Sequence, residues 1–247
     1  MIDICAPPGL ELHSLTLSYQ GRTLFESLSL SLQAEQCTAL LGASGIGKTS
    51  LLRIAAGLLK PDSGEVRASD GLKLVGRVAW MGQQDLLYPW LRALDNVTLG
   101  SRLRGEQPDI SRALALLDSV GLKNHRNTLP KDLSGGMRQR VALARTLYED
   151  HPIVLMDEPF SALDAITRAS MQELAAELLR GRTTLLVTHD PFEACRIANN
   201  IYVMAGRPAR IGPEIKISGL PPRAPDDESL LHTQGDLLRS LLAGHTL

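Results

Sequence analysis

The segment GASGIGKT, residues 42–49, has the glycine, lysine and threonine spacing of a phosphate-binding loop. It lies between CTALL, which predicts a buried strand, and KTSLLRIAAG, which predicts a helix ending at Gly57. The glycines let backbone N–H groups point at phosphate oxygens, Lys48 reaches the outer phosphates, and the Thr49 hydroxyl can bind Mg²⁺. The complete pattern in this setting favours a phosphate site over a turn that only joins a strand to a helix.

Two carboxylates end a second apolar strand, in the segment IVLMDEP. Ligands of open α/β sheets bind at the carboxyl ends of the strands. Asp157 can hold Mg²⁺ through its water shell, and Glu158 can orient an attacking water and accept its proton. Two surface carboxylates that cap a turn are the alternative, which the phosphate loop in the same chain disfavours.

His189 ends a third apolar strand, in LLVTHD, and Gln83 follows a fourth apolar stretch, in AWMGQQD. Each is a weak signal alone, because a lone histidine is more often structural and Gln83 could be an ordinary polar loop residue. An amide beside a γ-phosphate could hydrogen-bond both the attacking water and Mg²⁺.

A second helix start able to bind an anion lies in LSGGMRQRVALARTL, residues 133–147. Ser134, Gly135 and Gly136 open a predicted helix, and an apolar stripe follows at helical spacing. Such an opening exposes backbone N–H groups at the positive end of the helix dipole. One chain therefore carries two helix starts that can face phosphate.

The remaining pattern predicts an α/β fold. LELHSLTLSY and SLSLSL alternate and predict N-terminal strands, whereas the part from about 84 to 148 is more helical. Within that part, DISRALALLDSVGL predicts an amphipathic helix capped by Asp109 or Ser111.

Strands and helices then alternate to the end of the core. PIVLMDEP and TTLLVTHD predict strands, AITRASMQELAAELLRG a helix closed by Gly181, PFEACRIANN another helix, and IYVMAG a last strand. This alternation predicts a largely parallel sheet covered on both faces. The segment GRPARIGPEIKISGLPPRAPDDES predicts an irregular surface stretch before a short helix, LLHTQGDLLRSLLAG.

Composition excludes several classes of protein. The 26 basic and 27 acidic residues give no basic excess, so we expect no nucleic-acid partner. Cys5, Cys37 and Cys195 are far apart, which argues against zinc and a disulfide framework. The start, MIDICAPPGLEL, has no signal-peptide pattern, and the apolar runs are shorter than the ~20 residues of a membrane helix. We expect a soluble protein that reaches a membrane only through another chain.

The ordered series of motifs resembles the ATPase subunit of an ATP-binding cassette (ABC) transporter over nearly the whole chain. The series is the phosphate loop, GQQD, LSGGMRQR, VLMDEP, SALD and THD. The resemblance implies a P-loop NTPase fold with a mixed, largely parallel sheet, an N-terminal antiparallel β part and a helical signature subdomain. It implies one domain over 1–247, with a RecA-like core at about 1–84 and 150–206, the helical subdomain at about 85–149 and a C-terminal extension at about 207–247.

The resemblance also implies cofactors and roles for the site residues. ATP and Mg²⁺ are expected. Glu158 is the general base, His189 holds the γ-phosphate, and Gln83 senses it. Tyr19 stacks on the adenine, and Mg²⁺ is held by Thr49, Gln83 and Asp157. The phosphates are bound by Gly42, Ala43, Ser44, Gly45, Ile46, Gly47, Lys48, Thr49 and Ser50.

The expected partners are a second ATPase subunit, an integral membrane permease and, indirectly, a substrate-binding protein, at the cytoplasmic face of the inner membrane. Two subunits pack head to tail, so that Ser134, Gly135 and Gly136 of one close over the ATP of the other, with Asp164 at the interface. The helix that Ser134 to Gly136 open, the signature helix, is attracted by the γ-phosphate charge, and hydrolysis removes that charge. ATP binding therefore closes the dimer, and hydrolysis opens it. The cluster Leu86, Leu87, Tyr88 and Trp90 either docks a helix of the permease or packs the helical subdomain, and both can hold.

Within the family, DLLYPW, AGRPARIGPEIKI and LPPRAPDD resemble importers for nitrate, sulfonates, taurine and thiamine-precursor pyrimidines. QQDLLYPW and EDHPIVLMDEPFSALDAITR lean towards the hydroxymethylpyrimidine group. An exporter is the main competitor, and an ABC ATPase of DNA repair, chromosome organisation or translation is a further alternative. Glu35-Gln36, Ala43 and Met137 depart from the usual motifs without removing a phosphate ligand or a catalytic group.

Overall fold

The structure is a computed structural model that describes residues 6–244. The predictions about Cys5 and about the start of MIDICAPPGLEL fall on residues 1–5, which lie outside the described residues. The strands are β1 (Leu10–Tyr19), β2 (Arg22–Leu32), β3 (Cys37–Gly42), β4 (Ser63–Ala68), β5 (Val78–Met81), β6 (Ile153–Asp157), β7 (Thr183–Thr188), β8 (Asn200–Ala205), β9 (Arg210–Ile211) and β10 (Ile215–Lys216).

Eight α-helices accompany these strands within the described residues. They are α1 (Lys48–Ala55), α2 (Ala93–Val97), α3 (Leu99–Leu103), α4 (Ile110–Ser119), α5 (Gly135–Tyr148), α6 (Ala165–Leu178), α7 (Pro191–Ile197) and α8 (Glu228–Gly244). Two short 3₁₀ turns, Lys123–His125 and Pro130–Asp132, lie between α4 and α5.

The N-terminal strands form a three-stranded antiparallel sheet in the order β2-β1-β4. The alternating sequence of β1 turns Leu10, Leu12, Leu15 and Leu17 inward, and its polar residues face solvent. This sheet is the predicted antiparallel part of the fold.

The second sheet carries the motif residues. Its order is β10-β8-β3-β7-β6-β5, with β9 also paired to β8. The five strands from β8 to β5 run parallel, whereas β9 and β10 pair antiparallel to β8. The prediction of a mixed, largely parallel sheet is confirmed. Because β6 and β7 are buried on both faces, they contain the unbroken apolar runs IVLM and LLV rather than alternating residues.

Three hydrophobic clusters hold the layers together. One lies between the small sheet, α1 and one face of the large sheet. A second joins helices α2, α4, α5 and α6 to the opposite face at β5 and β6, and a third packs α7 and α8 on β3 and β8. The large sheet is therefore covered on both faces, as predicted.

Helices α2–α5 lie between β5 and β6 in the chain, where the sequence predicts the helical subdomain. Asp109 caps α4, since its carboxylate accepts the Arg112 backbone N–H at 2.9 Å. Ser134 caps α5 in the same way, accepting the Met137 N–H at 3.2 Å. Ser111, the other predicted cap of α4, lies inside the helix.

Two predictions about the C-terminal third are wrong. IYVMAG is not the last strand, because β9 and β10 follow it and pair with β8. The predicted helix PFEACRIANN ends at Ile197, and Asn200 already belongs to β8. The Asn199 carboxamide accepts the Cys37 N–H at 2.9 Å and so ties this turn to the start of β3.

The segment predicted to be irregular is fixed to the core by one arginine. Arg223 is 5% exposed, and its guanidinium donates hydrogen bonds to backbone carbonyls in the middle of the segment and at the end of α7. The acceptors are the carbonyls of Cys195, Ala198, Ile217, Ser218 and Gly219.

In the part of the chain that the structure describes, no helix is both long enough and apolar enough to cross a membrane.

Candidate functional site

The phosphate loop joins the carboxyl end of β3 to the start of α1. Gly47, the residue before α1, has φ +111°, a conformation that side chains other than glycine rarely adopt. At Gly42 a Cβ would lie 2.6 Å from the Met204 carbonyl oxygen of β8. Both glycines are therefore required by the backbone itself, in addition to any contact with phosphate.

Lys48 is folded back over the loop. Its ammonium donates to the carbonyls of Gly42 at 2.6 Å and Ala43 at 2.9 Å. Burial lowers the pKa of Lys48, and the nearby Glu158 and Asp157 carboxylates oppose that effect. The cation is held at the loop by neutral acceptors, from which it can turn to an anionic phosphate.

Asp157 and Thr49 form the candidate metal pair. Asp157, the last residue of β6, is 2% exposed, and burial raises the pKa of its carboxyl, while a hydrogen bond from the Thr49 side chain lowers it. A buried carboxylate and a hydroxyl give the oxygen donors that a hard divalent cation prefers. The residues present therefore fit Mg²⁺, although the described residues contain no cluster of three or more metal-ligating His, Cys, Asp or Glu side chains.

Glu158 is held between two side chains from other strand ends. The Gln83 amide donates to Glu158 Oε2 at 3.1 Å, and His189 Nδ1 lies 3.1 Å from Glu158 Oε1. Glu158 has φ +48°, and its backbone N–H donates to the Val187 carbonyl at 2.9 Å, which fixes the turn that carries it. Three loops that are distant in sequence thus converge on one carboxylate.

Most of these residues line one cavity of about 250 Å³ at the carboxyl edge of the large sheet, whereas Asp157 and His189 are not part of its lining. It is lined by Leu24, Ser44, Gly45, Gly47, Lys48, Thr49, Ser50, Gln83 and Glu158. Sequence reasoning missed Leu24, whose only signal is the alternation of a strand. The cavity combines a lysine, a hydroxyl, an amide and a carboxylate, which suits a polyphosphate and a water positioned beside it.

Some residues predicted for the site lie elsewhere in the chain's own structure. Tyr19 is 65% exposed at the end of β1, beside the β1–β2 turn. Ser134 and Gly135 are exposed at the start of α5, and a Cβ on Gly136 would lie 3.3 Å from the Leu163 side chain. None of these three signature residues lines the cavity.

The loop that carries Gln83 is fastened to the signature helix. The Arg145 guanidinium donates to the carbonyls of Asp85 at 2.7 Å and Leu86 at 2.9 Å. Arg138 Nε donates to the Asp85 carboxylate at 3.0 Å, and Gln139 donates to the Pro159 carbonyl at 3.0 Å. Helix α5 therefore contacts both the Gln83 loop and the turn after Glu158, contacts that sequence reasoning did not identify.

The fold and the site together define a P-loop nucleotide-binding domain. A family model described as ABC transporter matches residues 25–161. The chain belongs to the ABC transporter family, and it is one of the ATPase cassettes of that family.

Curated relatives match the chain over most of its length. The aliphatic sulfonates import ATP-binding protein SsuB 1 of Rhodococcus jostii is 40% identical over 236 residues, which cover 95% of this chain and 94% of the relative. The taurine import ATP-binding protein TauB of Pseudomonas aeruginosa is 41% identical and covers 95% of this chain, with 89% of the relative matched.

A solved structure shares the fold. The dimeric post-hydrolysis state of the ATP-binding cassette MJ0796, bound to ADP and Pi, is 31% identical with a TM-score of 0.76. The match covers 85% of this chain and 100% of that chain.

Proposed function

We propose that this chain is the ATP-hydrolysing subunit of an ABC importer, which couples ATP-driven closure of a dimer to solute uptake through a separate permease. The observation that carries the proposal is Glu158, held by Gln83 and His189 at the cavity that contains the phosphate loop. The sulfonate and taurine import proteins among its relatives support an importer over an exporter.

Each group in the cavity has a task in hydrolysis. The loop from Gly42 to Ser50 binds the phosphates through backbone N–H groups, with Lys48 at the outer phosphates. Glu158 accepts the proton of the attacking water, and His189 holds the γ-phosphate. Tyr19 stacks on the adenine, and its ring is available for this contact because the side chain is exposed.

Mg²⁺ would be held by Thr49, Asp157 and the Gln83 amide oxygen. When bound, it neutralises charge on the phosphates. The chain's own residues prepare this place, because the Thr49 side chain lies beside the buried Asp157 carboxyl.

We infer that each ATP is closed in by a second, identical copy. The signature start, Ser134 to Gly136, lies outside its own chain's cavity and presents an exposed helix N-terminus. A phosphate held by the partner copy is the anion that this positive end fits. The dimeric state of the MJ0796 cassette supports this arrangement.

The permease contact is proposed for the loop after Gln83. Leu86, Tyr88 and Trp90 are 49%, 41% and 71% exposed, and the Tyr88 and Trp90 rings meet edge to face at 5.4 Å. Leu87 instead packs against the core of the helical part. Three residues of this cluster are therefore available to a partner helix, while Leu87 holds the loop against the helical part. Such docking would place the chain at the cytoplasmic face of the inner membrane, with a substrate-binding protein reached only through the permease.

For the cargo we propose a small organic sulfonate such as taurine or an alkanesulfonate. The named relatives favour this class over nitrate and over the hydroxymethylpyrimidine towards which the motif wording leans. Uptake assays in cells with and without the gene, using labelled taurine and labelled hydroxymethylpyrimidine, separate these cargoes.

The test of the reaction is Glu158→Gln, which keeps the hydrogen-bonding shape and removes the base. ATP binding should persist, while the turnover rate should fall about 100-fold or more. Glu26→Gln, an exposed carboxylate change on β2, is the matched control and should keep wild-type turnover. Turnover by Glu158→Gln at the wild-type rate would overturn the assignment of the base.

A further inference from the structure

A buried carboxyl lies behind the strand end that carries His189 and has no part in the mechanism above. Glu193 is in the first turn of α7 and is 4% exposed. Carboxylates are seldom so buried without a strong partner. Among the residues that the structure describes, Glu193 Oε1 has no hydrogen-bond partner, so the group is buried at a cost in stability.

On one side Glu193 is connected to the His189 turn. The Thr188 side chain lies beside the Glu193 carboxyl and lowers its pKa, and Thr188 Oγ1 accepts the Asp190 N–H at 3.0 Å. The Asp190 carboxylate in turn accepts the Phe192 N–H at 2.9 Å and so caps α7. Both chain neighbours of His189 are therefore held by hydrogen bonds, and Glu193 lies beside one of them.

On the other side Glu193 faces α6. Gln172 is 2% exposed, and its Oε1 accepts from Arg196 Nη1 at 3.1 Å. The Gln172 amide approaches the carboxyl loosely, since its Nε2 has no partner with full hydrogen-bond geometry among the described residues. The Arg168 guanidinium attracts the carboxylate and donates from Nη2 to the Leu163 carbonyl at 2.9 Å. Leu163 directly precedes Asp164, the residue expected at the dimer interface.

We propose that Glu193 is a positioning residue for ATP hydrolysis, which holds His189 through Thr188 and the Leu163–Asp164 turn through Arg168. The inference rests on the proposed roles of His189 and Asp164. It adds a physical connection between them, because one buried carboxyl contacts the elements that carry both. A change at Glu193 should therefore alter the chemical step more than ATP affinity.

The protonation state of Glu193 offers a measurable test of this role. Burial raises the pKa of Glu193 from 4.5 to about 8, and the Asp190 charge raises it further. The Thr188 side chain and the Arg168 charge lower the same pKa. Burial raises the pKa of the nearby Cys37 thiol of β3, and the Glu193 charge adds to that effect. Near neutral pH the carboxyl is mostly protonated, so Gln is a close mimic of the working form and cannot titrate.

The experiment measures kcat and KM for ATP against pH in the full chain with its permease. Glu193→Ala should lower kcat about 10- to 100-fold with KM for ATP nearly unchanged. Thr188→Val, which removes the hydroxyl at constant volume, should lower kcat in the same direction. Wild-type kcat is expected to change as pH passes about 8, whereas Glu193→Gln should keep kcat near neutral pH and lack that change. Glu177→Gln, an exposed carboxylate change on α6, is the control and should follow wild type.

His189→Ala separates this inference from the proposed function. If His189→Ala keeps wild-type kcat, the role proposed for His189 fails. If His189→Ala is slow but Thr188→Val and Glu193→Gln match wild type at every pH, only the inference about Glu193 is overturned. The double variant His189→Ala with Glu193→Ala should lose less kcat than the two single effects multiplied together, since part of the Glu193 effect passes through His189.

Discussion

Glu158 gathers residues from three strand ends, and the left-handed φ of +48° at Glu158 is part of how it does so. Its carboxylate lies within 3.1 Å of both Gln83 and His189. A base with two neighbours in place can hold a water in one orientation without further rearrangement. The order of motifs along the chain indicated which residues would meet, because parallel strands deliver their carboxyl ends to one edge.

Other residues could not be predicted from the sequence. Glu193 stands in PFEACRI, where an acid in the first helical turn is ordinarily a solvent-exposed partner of the helix dipole. Its burial depends on the packing of α6 and β7 around α7, which no local pattern encodes. Leu24 likewise lines the cavity only because β2 passes beside the phosphate loop.

Lys48→Ala should weaken nucleotide binding itself. It removes a cation that neutral carbonyls hold at the loop, so the dissociation constant for ATP should rise about tenfold or more. Calorimetric titration with ATP measures this, and Lys60→Ala, which removes an exposed lysine beyond α1, is the control. Equal affinities for ATP in Lys48→Ala and wild type would contradict the placement of the phosphates.

Glu193→Gln should change how stability depends on pH. The unfolded carboxyl loses its proton near 4.5, whereas the folded one keeps it to about 8, so wild-type stability should fall as pH rises through that window. The glutamine variant cannot titrate there. Its free energy of unfolding should therefore rise relative to that of wild type between pH 5 and pH 8. Urea unfolding at both pH values measures the difference, and a constant difference would show that Glu193 titrates normally.

Helix α5 links the cavity to the signature start, Ser134 to Gly136. Its first turn presents Ser134, while Arg138 and Arg145 farther along hold Asp85 and Leu86 of the Gln83 loop. A shift of Gln83 towards a bound γ-phosphate would therefore act on the same helix that carries the signature. The sequence indicated the helix and its apolar stripe, but the pairing of its arginines with a loop about 55 residues away required the structure.

The C-terminal segment GRPARIGPEIKISGLPPRAPDDES is more ordered than its composition predicts. Pro, Gly and charged residues predicted an irregular stretch, yet Arg223 makes a buried guanidinium anchor there and two short strands extend the sheet. The carbonyls that Arg223 satisfies belong to turns whose positions depend on α7 and β10. Composition records the residue types, whereas burial is decided by these distant elements.

Arg223→Met should destabilise the fold by about 3 kcal/mol, because the buried carbonyls that Arg223 serves would lose charged donors. The loss should be greatest for α8, which packs on α7 next to this anchor. Urea unfolding gives the free energy, and amide exchange locates the loss. Arg207→Met removes an exposed arginine and should stay within about 0.5 kcal/mol of wild type. An equal effect of the two substitutions would refute the anchoring role.

At the scale of the whole molecule, one chain holds two anion sites that do not meet. The cavity lies at the carboxyl edge of the sheet, and the signature start is exposed elsewhere on the same chain. Ile166 is 81% exposed just after Asp164, which leaves an apolar side chain beside the expected interface. A second copy placed head to tail accounts for all three features.

The mass of Glu158→Gln in solution tests this most directly. Light scattering during gel filtration, with and without magnesium–ATP, should show the 26.8 kDa chain alone without nucleotide and a particle of twice that mass with it. Ser134→Arg added to Glu158→Gln should abolish the pairing while ATP binding to the cavity continues. A single chain's mass for Glu158→Gln at saturating magnesium–ATP would contradict a site built from two chains.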